Sequence, residues 1–363
     1  MAWCRDHSRC GCDLVFLTIM AFITENISLK AYNTFGIDVS AHYFSSFATP
    51  DQLADLITMT PAPPLILGGG SNLLFTRDID GLVLKNEISG IDLVLEDEDY
   101  VYVKAGAGES WHSFVLHCLD RDWAGVENLS LIPGSVGAAP MQNIGAYGVE
   151  IKDVFHELEA YDLNEQKVYT FSLNDCEFGY RESVFKRKYR DRFVILNVTF
   201  RLRKQPVFHT SYGAIRDELE KMGVSQLSIQ AISQAVINIR SSKLPDPKVI
   251  GNAGSFFKNP TVPGEQFESL RAKFPAIVGY PNPQDQTGGG SDNSTKLAAG
   301  WLIEQCGWKG FRRGDAGCHA RQALVLVNYG NASGEEIYDL SEEILLSVER
   351  KFGVVLEREV NII

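Results

Sequence analysis

Two stretches of small residues constrain this chain more than any other feature of its sequence. A glycine triplet, Gly68 to Gly70, is followed by Ser71 and Asn72 and comes directly after a short apolar run. The second stretch, residues 131–148, is rich in glycine, alanine and serine. Small residues let a ligand lie against the backbone, and consecutive N–H groups can hold a diphosphate. The triplet alone is also typical of a structural turn, but the two stretches together predict a site for a flat, phosphate-bearing ligand.

The segments around these stretches predict a mixed α and β architecture, because helical and alternating apolar patterns both occur. The pair Ser333 and Glu336 forms a capping-box pattern at the start of the last helix. One helix is predicted to begin at Pro50, and four others are predicted over 110–121, 228–240, 296–306 and 333–351. Predicted strands cover 64–67, 81–85, 157–161, 193–202 and 354–360, and alternation over 88–103 indicates exposed antiparallel strands.

Length and composition exclude several classes of protein. The 363 residues suggest two or three domains, and 45% hydrophobic with 22% charged residues is typical of a soluble globular chain. The net charge of -12 disfavours a nucleic-acid partner, so an anionic substrate needs local donors. Neither the seven cysteines nor the seven histidines show a disulfide or metal-ligand spacing. We therefore expect no metal site and a reducing, cytoplasmic location.

The first residues of the chain need a separate interpretation. The apolar run over 14–23 is too short to span a membrane, and no small-residue cleavage site follows it, although a signal peptide is the alternative. We expect residues 1–19 to be an extension outside the fold, with Met20 as the native start.

Three polar residues stand in surroundings that favour chemistry. Arg181, within FGYRES at 178–183, suits a substrate carboxylate, or else pairs with a surface glutamate. Ser255 precedes two phenylalanines that could exclude water from its hydroxyl, so it could donate a proton or simply bond a backbone group. Glu357 and Glu359 share one face of the last predicted strand, which is either solvent or the wall of a cleft.

Taken together, the ordered motifs resemble the UDP-N-acetylenolpyruvoylglucosamine reductase family over about residues 28–363. The motifs are YNTFGI at 32–37, LGGGSNLLF at 67–75, IPGSVGAAPMQNIGAYG at 132–148, FGYRES at 178–183, KLPDPK at 243–248, GNAGSFFKNP at 251–260 and LEREV at 356–360. A segment FHTSYG at 208–213, here called the tyrosine loop, resembles that of the tyrosine-loop type (type I) of the family.

The resemblance implies an α+β fold with a two-part FAD-binding module of the vanillyl-alcohol oxidase/PCMH type and a C-terminal α+β substrate-binding domain. The implied first FAD-binding part is 20–86, completed by the strand at 354–363, and the second is 87–240. The implied substrate-binding domain is 241–353.

The resemblance also implies an activity and a set of site residues. The activity is the NADPH-dependent reduction of UDP-N-acetylglucosamine enolpyruvate to UDP-N-acetylmuramate through bound FAD, in peptidoglycan precursor synthesis. The implied catalytic residues are Ser255 as proton donor, with Arg181 and Glu359 stabilising the charged intermediate. FAD-binding is implied for Gly68, Gly69, Gly70, Ser71, Asn72, Pro133, Gly134, Ser135, Val136, Gly137, Ala138, Asn143, Ile144, Gly145 and Ala146. Substrate-binding is implied for Tyr180, Tyr212, Lys243, Asn259 and Gln322.

Two alternative functions remain open at this point. An FAD-dependent oxidase of the same superfamily would use oxygen and would not need the serine of the 251–260 motif. A non-catalytic nucleotide-binding module would need the loops but not a proton donor. We expect a monomer that binds no nucleic acid and has no membrane span.

Overall fold

The computed structural model describes residues 23–59, 62–281 and 294–363. The expected N-terminal extension, 1–19, and most of the glycine-rich segment 281–295 lie outside these residues.

The described chain contains both helices and strands. The helices are α1 Pro50–Ile57, α2 Trp111–Leu119, α3 Gly213–Lys221, α4 Ile229–Lys243, α5 Gly264–Lys273, α6 Ala299–Gln305 and α7 Gly334–Phe352. The strands up to residue 203 are β1 Thr24–Ser28, β2 Ser40–Phe47, β3 Leu65–Leu67, β4 Leu73–Leu74, β5 Ile79–Asn86, β6 Ile91–Glu96, β7 Tyr100–Gly106, β8 Gly145–Ala146, β9 Val149–Glu150, β10 Phe155–Asp162, β11 Lys167–Ser172 and β12 Phe193–Arg203. The later strands are β13 Gly251–Asn252, β14 Thr261–Pro263, β15 Gly279–Pro281, β16 Ser294–Leu297, β17 Arg312–Arg313, β18 Ala316–Cys318, β19 Leu326–Asn328 and β20 Asn361–Ile362.

The chain forms two compact units, and each is discontinuous in sequence. The first unit contains the described residues up to Ser28 together with Ser40–Gly69 and Asp78–Val236. The second contains Leu29–Val39, Gly70–Arg77 and Ile237–Ile363.

The described residues of the first unit form two larger sheets and the two-stranded sheet β8-β9. In one larger sheet, the strand order is β1-β2-β5-β3, with β2, β5 and β3 parallel and β1 antiparallel to β2. Parallel strands need a crossover connection, and α1 lies on the one from β2 to β3, the two strands on either side of β5. The Thr49 hydroxyl caps this helix by accepting the Gln52 N–H at 3.2 Å. The other sheet has the order β11-β10-β12-β7-β6 and is antiparallel throughout.

An aromatic core fixes the helix α2 against the antiparallel sheet. The rings of Phe114 and Phe200 are 4.7 Å apart between centroids, and Trp111 lies 5.6 and 5.7 Å from them. Such tilted and edge-to-face contacts stabilise a core beyond the burial of apolar area alone. The Trp111 indole N–H also donates to the Leu129 carbonyl at 2.9 Å. The core therefore holds the short 3-10 turn Glu127–Leu129 in place.

The second unit has a small antiparallel sheet of order β13-β19-β18-β17 and a three-stranded sheet of order β14-β16-β15. The long helix α7 buries Ile337, Leu340, Ile344 and Val348 at helical spacing. Strand β20 pairs in parallel with β4, and the Thr76 amide and hydroxyl both donate to the Ile363 carbonyl at 2.8 Å.

Most of the predicted elements are confirmed, including the reciprocal capping box of Ser333 and Glu336. Two predictions were wrong. The helix expected over 296–306 begins only at Ala299, because Lys296 pairs with Thr261 and Tyr280 as part of β16. The strand expected over 354–360 is not formed, because within it only Arg358 makes a bridge, to Phe257; the last described strand is β20, which pairs with the equally short β4.

Among the described residues, no helix combines the length and the apolar character needed to cross a membrane.

Candidate active site

The two stretches of small residues meet in the first unit. A Cβ placed on Gly69 would lie 2.7 Å from the Gly134 Cα and 3.3 Å from the Ser135 nitrogen. A Cβ on Gly68 would lie 2.6 Å from the Ser135 hydroxyl oxygen. Such distances are below ordinary van der Waals contact, so only glycine lets the two backbones approach this closely. We call this junction of Gly68, Gly69, Gly134 and Ser135 the glycine cradle.

The neighbouring structure fixes both sides of the glycine cradle. Ser135 forms a β-bridge with Ser110, in which the Trp111 amide donates to the Gly134 carbonyl at 3.0 Å and the Val136 amide to the Glu109 carbonyl at 2.8 Å. On the other side, Lys85 donates to the Gly68 carbonyl at 2.8 Å, and burial lowers the pKa of this lysine. Lys85 was not among the predicted site residues, although a lysine within the apolar strand β5 was a visible signal.

The glycine cradle leaves backbone donors available. Within the described part of the chain, the amides of Gly69, Gly134 and Ser135 have no hydrogen-bond acceptor. By contrast, the amides of Gly137 and Ala138 donate to Ala107 and Ser135, so those predicted residues support the turn through their backbones. Available N–H groups next to positions without side chains suit an anionic diphosphate.

Asn143 is a structural centre of the same stretch. It adopts a left-handed conformation with φ of 45° and is fully buried. Its side-chain nitrogen donates to Glu150 Oε2 and to the Gly179 carbonyl, each at 3.0 Å, and its oxygen accepts the Lys152 N–H at 3.2 Å. The protein therefore uses all of this carboxamide, and Asn143 acts by shaping the loop.

Arg181 is placed against this stretch. Its Nη2 donates to the Gly145 carbonyl at 2.8 Å, and a Cβ on Gly145 would lie 3.3 Å from its Nη1. The segment around it is anchored by Ser183, whose hydroxyl donates to the Met141 carbonyl at 2.7 Å. Its guanidinium carbon lies 5.5 Å from the Tyr180 ring centroid. The structure thus brings Arg181, Tyr180 and the predicted loop residues Gly145 and Ala146 together.

A buried turn links the glycine-rich stretch to the tyrosine loop. Asn128 donates from its side-chain nitrogen to the Tyr147 carbonyl at 3.1 Å and to the His209 carbonyl at 2.9 Å. Tyr212, at the other end of the loop, is 52% exposed, and its ring contacts Tyr147 edge-on at 5.4 Å. No sequence pattern identifies Asn128, because nothing local distinguishes it from other turn asparagines.

Glu127, in the same turn, gives a testable pH dependence. It is 1% exposed, and its Oε2 accepts the Gly125 N–H at 2.6 Å. Burial raises the pKa of this carboxyl, so the folded chain keeps a proton that the unfolded chain releases, and stability falls as pH rises above the ordinary glutamate range. We expect Glu127→Gln to reduce the fall in Tm between about pH 5 and about pH 8, measured by thermal scans. Glu98→Gln, at an exposed position, is the control; a Glu127→Gln slope equal to that of the wild type would contradict the expectation.

The second unit holds the remainder of the triplet. Gly70 has φ of +61°, and a Cβ there would lie 2.0 Å from the Tyr32 carbonyl oxygen, so glycine is required. Asn72 donates from its side chain to the Glu359 carbonyl at 3.2 Å and accepts the Asn361 N–H at 3.1 Å. Within this unit, Asn72 therefore fixes the backbone at Glu359.

Ser255 and Glu359 are brought together by a short backbone pairing in the second unit. The Glu359 amide donates to the carbonyl of Phe256, the residue after Ser255, at 2.8 Å, and Phe257 forms a β-bridge with Arg358. Phe256 and Phe257 are 0% and 1% exposed, as the predicted exclusion of water requires. The Ser255 hydroxyl has no hydrogen bond to any described residue, so the alternative that it satisfies a local backbone group is not supported.

Glu357 and Glu359 differ in their surroundings. The Glu357 side chain is 73% exposed and pairs with Lys258 at 3.2 Å, which makes it a surface residue. Glu359 is half-buried. The two predicted acids therefore do not have equivalent roles.

The predicted substrate-binding residues of the second unit lie near the start of α6, with one exception. Asn259 accepts the Ala299 N–H at 3.0 Å, and the Gln322 Oε1 lies 3.1 Å from the position of a Cβ on Gly300. Lys243 is exposed at the end of α4 and makes no ion pair with any described residue. Asn259 and Gln322 each use their side-chain oxygen within the protein, since Gln322 also accepts the Leu324 N–H at 3.3 Å.

Comparison with known proteins decides the family. The chain is 51% identical over 341 residues to the UDP-N-acetylenolpyruvoylglucosamine reductase of Pseudomonas putida, covering 93% of this chain and 98% of that protein. It is 48% identical over 343 residues to the reductase of the same name from Flavobacterium johnsoniae, covering 94% and 99%. The chain belongs to the UDP-N-acetylenolpyruvoylglucosamine reductase family.

Further comparisons agree with this family. Residues 246–363 match the model of the UDP-N-acetylenolpyruvoylglucosamine reductase C-terminal domain, and residues 43–172 match that of an FAD-binding domain. The crystal structure of UDP-N-acetylenolpyruvylglucosamine reductase from Thermus caldophilus shares the fold, with a TM-score of 0.65 at 23% identity over 94% of this chain and 99% of that one. This family member is an FAD-dependent oxidoreductase with the predicted α+β fold.

The residues of the first unit fit FAD. The glycine cradle is a surface that a Cβ would fill, and its available amides match a diphosphate. Among the described residues, no group of three His, Cys, Asp or Glu could hold a metal ion.

Proposed function

We propose that this chain reduces UDP-N-acetylglucosamine enolpyruvate to UDP-N-acetylmuramate, with NADPH as the reductant and FAD as the cofactor, in peptidoglycan precursor synthesis. The observation that carries the proposal is Ser255, whose hydroxyl has no hydrogen-bond partner among the described residues and which precedes two buried phenylalanines, in a chain that also has the glycine cradle. An enzyme that must protonate carbon at the end of its reaction needs such a donor.

The glycine cradle and Gly70 to Asn72 hold FAD in this proposal. Gly69, Gly134 and Ser135 donate their amides to the diphosphate, and Pro133, Val136, Gly137, Ala138, Asn143, Ile144, Gly145 and Ala146 shape the surface beside it. FAD, when bound, supplies a carrier that takes hydride from NADPH and delivers it to the terminal vinyl carbon of the substrate.

The chain's own residues then complete the reduction. Hydride addition to the terminal carbon leaves an electron pair that is shared with the substrate carboxylate. Arg181 and Glu359 stabilise this charged intermediate, and Ser255 transfers its Oγ proton to the adjacent carbon, which finishes the saturated lactyl ether. Tyr180, Tyr212, Lys243, Asn259 and Gln322 bind the nucleotide diphosphate and sugar.

Replacing Tyr212 with phenylalanine tests the role of the tyrosine loop. If the loop closes over the nucleotide sugar, loss of one hydroxyl should raise the KM for that substrate about threefold to tenfold, because a hydrogen bond contributes about 0.5–1.5 kcal/mol. Flavin content and the KM for NADPH should stay unchanged. Tyr169→Phe is the matched control, since Tyr169, on β11, donates its hydroxyl to Glu165. Equal losses of flavin and substrate affinity would contradict a closing role.

An anaerobic spectrum tests the function itself. We expect the yellow flavin band to bleach with NADPH and to return when UDP-N-acetylglucosamine enolpyruvate is added without oxygen. A band that returns only with air would favour the oxidase alternative, and its absence after adding FAD would leave only the non-catalytic one.

The proposal includes a cytoplasmic, monomeric enzyme, in which the reaction takes place on soluble substrates. It also retains the division into FAD-binding parts at 20–86 with 354–363 and at 87–240, and a substrate-binding domain at 241–353.

A further inference from the structure

We propose that Asn128 is a positioning residue for substrate binding, because its side chain ties the tyrosine loop to the glycine-rich stretch. This inference rests on the proposed function, in which Tyr212 contacts the nucleotide sugar. Asn128 itself touches neither the substrate nor the cofactor in this proposal.

Two hydrogen bonds from one nitrogen make the tie. Asn128 Nδ2 donates to the His209 carbonyl at 2.9 Å and to the Tyr147 carbonyl at 3.1 Å. The residue is 1% exposed, so these bonds do not compete with bulk water. The opposite orientation of the carboxamide would set its oxygen against two carbonyl oxygens, which determines the orientation.

The asparagine is not explained by packing alone. Its side-chain oxygen is buried and has no hydrogen-bond partner among the described residues. A buried acceptor without a donor is unfavourable, and an apolar residue of similar size would avoid that cost. The two donated bonds are therefore what asparagine contributes at this position.

The turn that carries Asn128 is rigid. The Trp111 indole donates to the Leu129 carbonyl at 2.9 Å, and the Leu131 amide donates to His112 Nδ1 at 3.0 Å. The Ser130 hydroxyl donates to the Glu127 carbonyl at 2.7 Å. Because the turn is held at each of these three points, the carboxamide is a fixed reference for both loops.

The tie acts on the first half of the tyrosine loop. Phe208 packs against the hydrophobic core, His209 is held by Asn128, and Arg216 Nε donates to the Thr210 carbonyl at 3.1 Å. Tyr212 lies beyond these contacts and is exposed, with its ring edge-on to Tyr147. Since Asn128 holds the backbones of both His209 and Tyr147, it sets the position from which Tyr212 reaches the substrate.

The test compares Asn128→Asp with Asn328→Asp in the flavin-loaded protein. The first variant keeps the side-chain volume and removes both donated bonds. Asn328 is a matched control, because it is also buried and its Nδ2 donates to a backbone carbonyl, that of Phe35, at 2.9 Å. Asn128→Ser, which adds no charge and cannot reach both carbonyls, serves if the aspartate variant does not fold.

We expect Asn128→Asp to raise both the hydrogen-exchange rate of amides in 207–216 and the KM for UDP-N-acetylglucosamine enolpyruvate about tenfold, since two ordinary hydrogen bonds are lost. The rate of flavin bleaching by NADPH and the flavin content should change less than about twofold. Asn328→Asp should change neither the loop exchange nor this KM.

If the hydrogen-exchange rates of amides in 207–216 were unchanged in both Asn128→Asp and Asn128→Ser, Asn128 would not hold the tyrosine loop. Faster exchange with an unchanged KM, or equal losses in both half-reactions, would overturn the positioning role. A wild-type protein that does not turn over the nucleotide sugar would instead show that the proposed function has failed, and the exchange rates would still decide whether Asn128 holds the loop.

Discussion

Replacing Ser255 with alanine is expected to leave flavin bleaching by NADPH intact and to slow the oxidation of the reduced flavin by the nucleotide sugar about 100-fold to 10,000-fold. That range is the usual contribution of a positioned general acid. The physical reason is local: Ser255 has no hydrogen bond to any described residue, and Phe256 and Phe257 behind it are buried. The proton on Oγ is thus not committed to any described residue.

Anaerobic stopped-flow absorbance measures the two half-reactions separately. Ser347→Ala is the control, because it removes a hydroxyl from α7 in the same unit, where Ser347 bonds Ile344, Trp308 and Cys306. Both half-reactions of the control should match those of the wild type. A second half-reaction that is unchanged in Ser255→Ala would remove Ser255 from the mechanism, while equal slowing of both would indicate a structural defect.

Replacing Gly69 with alanine is expected to weaken FAD binding at least about 100-fold, because a Cβ 2.7 Å from the Gly134 Cα forces two backbones apart. Neither backbone can respond by changing a side-chain rotamer. Gly68→Ala should have a smaller effect, since its Cβ would meet the Ser135 hydroxyl, which can rotate away. Gly81→Ala, where a Cβ would meet nothing within 4 Å, should bind FAD like the wild type.

Titration of the flavin-free proteins with FAD, followed by flavin fluorescence, gives the three dissociation constants, and far-UV circular dichroism checks folding. The decisive result is the order of the variants. If Gly69→Ala bound FAD as tightly as Gly81→Ala, the glycine cradle would not be the diphosphate site, even though the family binds FAD.

Local signals in the sequence were sufficient for much of the fold. Ser333 and Glu336 predicted the start of α7 because a capping box satisfies two helix-end donors within four residues of chain. Trp111 and Phe114 predicted the buried face of α2, because apolar residues at helical spacing identify that face within one or two turns.

Partners distant in sequence decided what the patterns did not predict. Lys296 follows a helical pattern, yet it is a strand residue because Thr261 and Tyr280 flank it in the sheet. The short strand β20 depends on Leu73 and Leu74, which no pattern near residue 361 specifies. Tertiary pairing of this kind overrides local propensity.

The candidate site shows the same division. Gly69 and Ser135 could be identified from small-residue motifs, because close approach demands small residues wherever it occurs. The roles of Lys85 and Asn128 could not, although Lys85 stands out as a lysine in an apolar strand, since each acts through a backbone carbonyl that lies elsewhere in the chain: Gly68 for the lysine and His209 for the asparagine. Because every residue has a backbone carbonyl, a hydrogen bond to that carbonyl does not constrain the residue type of the acceptor.

The discontinuous second unit has a consequence for biosynthesis. Its segment Gly70–Arg77 pairs with β20, and the bond from Thr76 to Ile363 spans 287 positions. During vectorial synthesis, residues 70–77 leave the ribosome long before their strand partner exists, and closing so long a loop is entropically slow. Leu73, Leu74 and Phe75 are each half-buried or buried in the finished fold, but in the nascent chain they have no strand partner. Asn72, which bonds Glu359 and Asn361, therefore reaches its final geometry only after translation has passed residue 361.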